Sequence, residues 1–427
     1  MLTKLHSAVS GGDPSKSDTG AAAMRERVIT GRAQAAVGLD VGRSRVRCAV
    51  CALDGEAFRF LGFGESESKG WNRGRVHDQE AITESVRAAI QDAERSAGVP
   101  VAMAVVGVGG MTVQGDNIRG VYEFGRAREV ETEDLSYAIE LASRVRLEED
   151  RYLLQVFPQD FTIDGRAGFR NPCGAVVSRL EANVHIVTVS TQDHQALVHA
   201  VQQAHVAVEE TVFEPLAAAY AAILPGERER GVALVDIGAH STGLAIYDGD
   251  ALVLASSVPI GGDHFTRDVA HCLPAFYEDA RRLKEEFGCA ILGLTSDSVL
   301  IDVPSSDGRP ARTVSRRTLN EILEARALEL FQFVRKEIRR SGMEQELLEG
   351  VVLTGGGAVL NGMCDVAEQV LDCQARNGLP VGIDGWPEEI DDPAWTVPAG
   401  LAMWSGRLKL RRQQKRGAPD LLRLILK

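Results

Sequence analysis

No apolar run in this sequence approaches the roughly 18 residues that a membrane-spanning helix requires. The first residues, MLTKLHSAVSGGDPSKSD, also lack an apolar core of signal-peptide length. Both absences lead to the expectation of a cytoplasmic chain. Cysteine is sparse, with seven in 427 residues, and this odd, scattered set argues against a disulfide framework. Cys48 and Cys51 do form a CxxC, but they lie in the strand-like VRCAVCAL, where residues three apart face opposite sides. They read as core residues. His194, His199 and His205 lack the i, i+4 pairing of a helical zinc site, so they carry no metal expectation. Positive charge is the minority, 47 Lys and Arg against 60 Asp and Glu for a net charge of −13, which argues against nucleic-acid binding. Residues 406–427 are the exception: eight Lys or Arg stand there against Asp420 alone, so the tail carries +7 and the body about −20.

With 44% hydrophobic residues the chain is an ordinary globular sequence with about three domain-sized units. Residues 1–34, rich in Ser, Gly, Ala and charge without periodicity, are expected to be disordered. Two stretches then share one grammar. AAVGLDVGRSRVRCAVCALDG and VALVDIGAHSTGLAIYDGD each run from an apolar strand through an acid and a small-residue turn into a second apolar strand that ends at an Asp-Gly turn. Backbone N–H groups in such turns can cradle phosphate oxygens. The acids Asp40 and Asp236 can hold a hydrated Mg²⁺ between them.

Other elements follow from periodicity and caps. A helix is expected over 77–97 with Ile82, Val86, Ile90 and Ala93 on one face, then a strand in VAMAVVGVGG whose glycines read as a turn. REVETEDLSYAIELASRV is expected to start a helix with Thr132 as its N-cap. LLQVFPQDFTIDG and RLEANVHIVTVS read as strands of a small α+β insertion. A strand passes through Glu214-Pro215 into an Ala-rich helix, and Gly261-Gly262 opens another helix in an anion-site pattern. SRRTLNEILEARALELFQFVRKEIRRSG is a long amphipathic helix. VVLTGGG places three glycines between strand and helix, where the backbone can lie flat against a bulky ligand. In the tail, PDLLRLILK sets Leu421, Leu422, Leu424, Ile425 and Leu426 on an apolar arc opposite Arg423 and Lys427. Such a short helix forms on binding to a surface, and a basic approach adds up to roughly 1 kcal/mol per cation at an anionic bilayer. Docking on the body or on a partner is the alternative for this tail.

Paired acid-tipped hairpins, the Glu214-Pro215 crossing, the Gly-Gly helix start and TGGG resemble the actin, Hsp70 and sugar kinase superfamily. VFPQDFTIDGRAGFRNPCG, RLEANVHIVT and PAWTVPAGLAMWSG resemble the bacterial cell-division FtsA family in particular, over roughly residues 35–406. The resemblance implies an α/β, actin-like two-lobed fold of duplicated ribonuclease H-like domains with an inserted subdomain. The first lobe would take 35–106 and 186–225, the insertion 107–185, the second lobe 226–263 and 350–405, its smaller subdomain 264–349, and a basic linker with a membrane-targeting helix 406–427. It also implies ATP with Mg²⁺ in the cleft: Asp40, Gly42, Arg43 and Ser44 in a first phosphate loop, Asp236, Gly238, Ser241 and Thr242 in a second. Gly261 and Gly262 would lie beside the terminal phosphate, Lys284 at the nucleoside, and Gly355, Gly356 and Gly357 at the adenosine. Glu214, as the residue orienting water, and Asp236 are the candidate catalytic groups.

Relatives commonly read DIGGGTTD where this chain reads DIGAHSTG, carry a small hydroxyl where Arg43 stands, and a Glu where Arg281 stands. These departures imply ATP binding with slow hydrolysis or none. The implied partners are the C-terminal peptide of the tubulin-like protein FtsZ, at Arg312, Arg316, Arg317 and Asn320, further copies of the chain in an actin-like polymer, anionic inner-membrane lipids at residues 421–427, and other division proteins at the insertion. The implied location is the cytoplasmic face of the membrane at the septum. A PilM-like pilus-assembly adaptor and a small-molecule kinase of the same fold are the alternatives.

Overall fold

The computed structural model describes residues 14–29, 33–144, 146–296, 298–305 and 310–415, and side chains are described outside 14–21 and 413–415. Helix α1 (Pro14–Ile29) precedes strands β1 (Gln34–Val41), β2 (Arg45–Asp54) and β3 (Ala57–Glu67), the small hairpin β4 (Trp71–Asn72) and β5 (Arg75–Val76), helix α2 (Gln79–Ala97) and strand β6 (Met103–Val108). Next come β7 (Gln114–Glu129), α3 (Thr132–Ser143), β8 (Arg151–Ile163), β9 (Arg166–Phe169) and β10 (Val176–Ser190), then α4 (Thr191–Gln203), β11 (Ala207–Phe213) and α5 (Glu214–Ala222). The second half holds α6 (Pro225–Arg230), β12 (Val232–Ile237), β13 (Thr242–Asp248), β14 (Ala251–Val258), α7 (Gly262–Cys272), α8 (Tyr277–Phe287), β15 (Leu300–Val303), β16 (Arg312–Ser315) and α9 (Arg316–Ser341). It ends with β17 (Val351–Thr354), α10 (Met363–Leu371), β18 (Ala375–Asn377), β19 (Ile383–Asp384) and α11 (Thr396–Lys415).

Two sheets repeat one plan. In the first lobe the order is β11-β6-β1-β2-β3-β19, and in the second β14-β13-β12-β17-β18. Each is built on an antiparallel hairpin whose first strand also pairs in parallel with a later strand: β1 with β2 and β6, and β12 with β13 and β17. Strands covered on both faces must be apolar throughout, and VALVDI in β12 is buried at every position. Asp40 and Asp236 therefore sit near the ends of the central strand of each sheet, aimed at the space between lobes. Cys48 and Cys51 are buried and belong to different core clusters, one on each face of β2. Burial pushes both thiols up, Cys51 to about 12, as it does for cysteines packed in a core.

The insertion is a four-stranded sheet of order β7-β10-β8-β9 covered by α3, with its own core around Leu135, Ile139, Leu180 and Ile186. Glu131 is the N-cap of α3, one residue before the expected Thr132, because the Asp134 carboxylate accepts the Glu131 N–H at 2.9 Å. The sheet leans on the free edge of β14: His185 Nε2 accepts the Ala255 N–H at 2.9 Å, and Gln159 Nε2 donates to the Leu252 carbonyl at 2.9 Å. The insertion thus touches both lobes.

Three expected boundaries change. Residues 14–29 form a helix instead of a disordered arm, with Met24 buried in the first-lobe core and Arg25 donating to the Leu61 and Ser96 carbonyls at 3.1 and 3.0 Å. The expected second-lobe segment 350–405 divides, since β19 pairs with β3 and α11 packs its apolar face on first-lobe residues. The expected linker from 406 is helical to Lys415. Its cations are held by the body: Lys409 Nζ donates to the Ala35 carbonyl at 2.6 Å, and Lys409 and Arg412 pair with Glu209 at 3.3 and 2.7 Å. The residues expected at the membrane, Leu421, Leu422, Arg423, Leu424, Ile425, Leu426 and Lys427, lie outside the described residues.

Candidate functional site

A cavity of about 450 Å³ lies between the lobes. The first hairpin turn brings Asp40, Gly42, Arg43 and Ser44 to it, the second brings Asp236, Gly238 and Ser241, and α5 brings Glu214 from its first turn. Gly262 opens α7 at the same cavity, and Lys284 of α8 reaches it while donating to Thr266 Oγ1 at 3.0 Å and the Gly262 carbonyl at 3.3 Å. Gly355, Gly356 and Gly357 close the far side. The three glycines differ in purpose. A side chain at Gly355 or Gly357 would strike Asp236 or Ile237, at 2.6 and 2.3 Å, whereas one at Gly356 would meet nothing within 4 Å. Gly356 is therefore the position that leaves room for a ligand.

Two expected residues stand apart from the cavity wall. Thr242 is fully buried and donates to the Ile260 carbonyl at 2.8 Å, which ties β13 to the turn before α7. Gly261 is the N-cap of α7, where a Cβ would lie 2.6 Å from the Gly238 carbonyl, so it supports the second loop from behind. His240 also turns away from this cavity.

The electrostatics are dominated by three acids, Asp40 and Asp236 buried and Glu214 half-buried. Burial raises Asp40 to about 6 against the pull of Arg47 and Arg43. Burial and the Asp40 charge raise Asp236 to about 7, opposed by the Thr354 hydroxyl and Arg47. Burial, then Asp40 and Asp236, raise Glu214 well above the carboxylate range. Like charges in one dry site cannot all ionise without a cation, and oxygen donors of this kind suit a hard divalent ion. Among the described residues no three such side chains stand close enough to ligate an ion directly, so a cation here would be held through its water. The shift disfavours the ionised form of Glu214, the form in which a carboxylate acts as a base.

Several lining residues went unread in the sequence. Gly109 yields its side-chain space to Glu214, whose Oε2 lies 1.8 Å from where a Cβ would stand. Arg47 pairs with Glu65 at 2.8 Å and lies over the Trp395 ring. Asp263, Asn361 and Asp392 also line the wall. Arg281, Lys284, Glu285 and Gly288 all face the cavity. Their i, i+3, i+4, i+7 spacing is one helix face, so Glu285 supplies a carboxylate at the end where Arg281 does not.

The expected peptide-contact residues lie elsewhere, at β16 and the start of α9. Arg312 is exposed, Arg316 Nε donates to the Phe287 carbonyl at 2.6 Å, and Arg317 pairs with Glu321 at 3.2 Å. Asn320 is no surface residue: it is fully buried, its Oδ1 accepts the Cys289 N–H at 2.9 Å and its Nδ2 donates to Thr295 Oγ1 at 2.7 Å. Asn320→Ala is expected to cost about 2 kcal/mol by leaving a buried N–H unpaired. Urea unfolding reads this directly, and an unchanged midpoint would contradict the buried role.

A family model described as cell division protein FtsA matches residues 233–400, and one described as the SHS2 domain inserted in FtsA matches residues 110–188. The cell division protein FtsA of Pseudomonas aeruginosa is 35% identical over 370 residues, covering 86% of this chain and 88% of its own. Among solved structures, the chain is similar to one of a PilM–PilN type IV pilus biogenesis complex, with a TM-score of 0.63 at 16% identity, over 87% of this chain and 98% of that one. MreB 5 of Spiroplasma citri bound to AMPPNP aligns with a TM-score of 0.56 at 13% identity, over 90% of this chain and 99% of that one. At these identities both structures speak for the actin-like fold alone, whereas the identity and coverage of the Pseudomonas relative decide the family. With the inserted domain at its matching place between β6 and α4, the chain belongs to the FtsA family of cell-division proteins.

Proposed function

We propose that this chain is an ATP-binding, actin-like scaffold that ties FtsZ filaments to the cytoplasmic face of the membrane at the division septum and assembles into polymers of its own. The observation that carries the nucleotide part is the juxtaposition of two glycine-containing turns, the buried Asp40 and Asp236, the half-buried Glu214 and a glycine-walled far end in one inter-lobe cavity. Asp40 and Asp236 would hold Mg²⁺ through its water, and the bound ion would neutralise phosphate charge. The N–H groups of the turns from Gly42 to Ser44 and from Gly238 to Ser241 would meet phosphate oxygens. Lys284, Glu285 and Gly356 would receive the nucleoside. A Glu214 whose ionised form is disfavoured by burial and by Asp40 and Asp236 favours storage of ATP over its cleavage. FtsZ recognition is assigned to Arg312, Arg316 and Arg317 with Asn320 withdrawn, other division proteins to the insertion, and membrane attachment to residues beyond α11.

One preparation tests the scheme. Calorimetric titration with Mg-ATP is expected to give one saturable site with slow phosphate release, and no saturable binding would remove the nucleotide assignment. Flotation with anionic vesicles and the FtsZ tail peptide is expected to recover peptide with the full chain and none after removal of residues 416–427. Equal recovery from both forms would refute the tether.

A further inference from the structure

Two of the residues by which this chain's phosphate loops depart from the pattern common among relatives, Arg43 and His240, meet at one wall. The Gly74 carbonyl of the β4–β5 hairpin accepts from Arg43 Nε at 3.1 Å and the Gly109 carbonyl from its terminal nitrogen at 3.4 Å, while the guanidinium lies 5.0 Å from the Trp71 ring centre. A Cβ at Gly74 would stand 2.5 Å from the His240 ring, so the first-lobe hairpin presses on the second-lobe loop there. Gly74, with φ of 78°, is the residue type that permits it. Behind this wall is a second cavity of about 250 Å³, which shares only Arg43 and Gly109 with the inter-lobe cleft.

Its lining is cationic. Arg43, Arg73 and Arg75 face it against Asp193 alone, and Asp193 reaches Arg75 only at 3.8 Å. Arg43 is half-buried and has no carboxylate within ion-pair distance among the described residues, and its two carbonyl partners leave guanidinium donors to spare. Arg73 is held in the left-handed region at φ of 48°, a strained conformation for a side chain of its size, at the tip that aims it toward the cavity mouth. His194, also on the wall, is occupied by Thr211 Oγ1 at 3.0 Å. His240 has no hydrogen-bond partner for its ring among the described residues. Planar guanidinium forks of this kind match tetrahedral oxyanions, and the volume admits such an ion with water.

We propose that this second cavity is a binding site for a small phosphate-class dianion, held by Arg43, Arg73 and Arg75 with His240 as a further donor, separate from the site of a nucleotide's own phosphates. The site spans both lobes, so its occupant couples them whether or not a nucleotide is bound. The probe is inorganic phosphate, titrated calorimetrically into the full chain at constant ionic strength, with and without saturating Mg-AMPPNP. The expected result is one saturable site that persists with the analogue bound and is weakened roughly tenfold or more by Arg73→Gln with Arg75→Gln, and also weakened by His240→Gly. Both arginines are exposed, and matching unfolding midpoints verify that the variants fold. Phosphate binding abolished by the analogue and indifferent to the arginine pair would place the ion in the nucleotide cleft and overturn the proposal, as would no binding at all. If the analogue fails to bind, the nucleotide reading falls, and the comparison of wild type with the arginine variant still decides this one.

Discussion

Asp236→Asn is expected to make the metal-free protein more stable while removing Mg-ATP binding. The carboxyl sits at about 7 because burial and the neighbouring Asp40 charge oppose its ionisation. Its folded-state value lies above the unfolded one of about 4, so the folded protein holds this proton more tightly than the unfolded chain does. Stability from this group is complete below about pH 4 and is lost as pH rises through about 7. A shift of this size corresponds to about 4 kcal/mol, and coupling to Asp40 and Glu214 makes about 2–4 kcal/mol the expected gain of the variant at pH 7.5. At pH 4.5 the gain should shrink to about 1 kcal/mol or less, because folded Asp236 is then protonated and the unfolded carboxyl has only begun to ionise. Asn keeps an oxygen for the Thr354 hydroxyl, which donates to Asp236 Oδ1 at 3.3 Å, so the change is close to a pure loss of charge. Guanidinium unfolding in EDTA at the two pH values measures it. Equal stability of variant and wild type at pH 7.5, or the same difference at both pH values, would contradict the buried acid cluster. Added Mg²⁺ should narrow the difference by stabilising only the wild type. A site that costs stability when empty is a site kept for its ligand.

The same acids show what a sequence can disclose. Asp40 and Asp236 were legible because a hairpin tip is local: strand, acid, small residues and strand lie within about twenty positions. The face of α8 is equally local, for Arg281, Lys284, Glu285 and Gly288 have helical spacing and Glu285 stands one turn from Arg281 on it. Asn320 was misread. It shares a stripe with Leu323 and Ala327, both buried, but a small residue weakens the apolar signal and a polar one interrupts it. Gly109 looked like a turn because its partner, Glu214, is remote in sequence. Helix α1 has no apolar stripe to announce it. Met24 is buried only because the first-lobe surface is there to receive it.

The tail makes the strongest case, since its charge was read correctly and its partner was invisible. Glu209 of β11 has a side chain only 1% exposed, and it gathers Ser405 Oγ at 2.8 Å, Lys409 at 3.3 Å and Arg412 at 2.7 Å from α11, about two hundred residues away. Arg407 lies 4.1 Å over the Tyr220 ring. Three of the eight tail cations are thus engaged with the body, and a run that composition presents as a solvated linker is docked helix. Glu209→Ala removes the one carboxylate and strands Lys409, 12% exposed, among a carbonyl and a hydroxyl. Breaking a buried pair from one side costs about 3 kcal/mol, here confined to the helix end, so amide exchange over 406–412 should accelerate roughly a hundredfold. The second consequence has the opposite sign. Lys409 and Arg412, once released, are worth about 1 kcal/mol each at an anionic bilayer, so vesicle binding should tighten about tenfold or more at low salt and converge with wild type as salt rises. Faster exchange without tighter binding would show that the docked turns do not limit the reach of the proposed membrane segment. Unchanged exchange would show that Glu209 does not hold the helix at all.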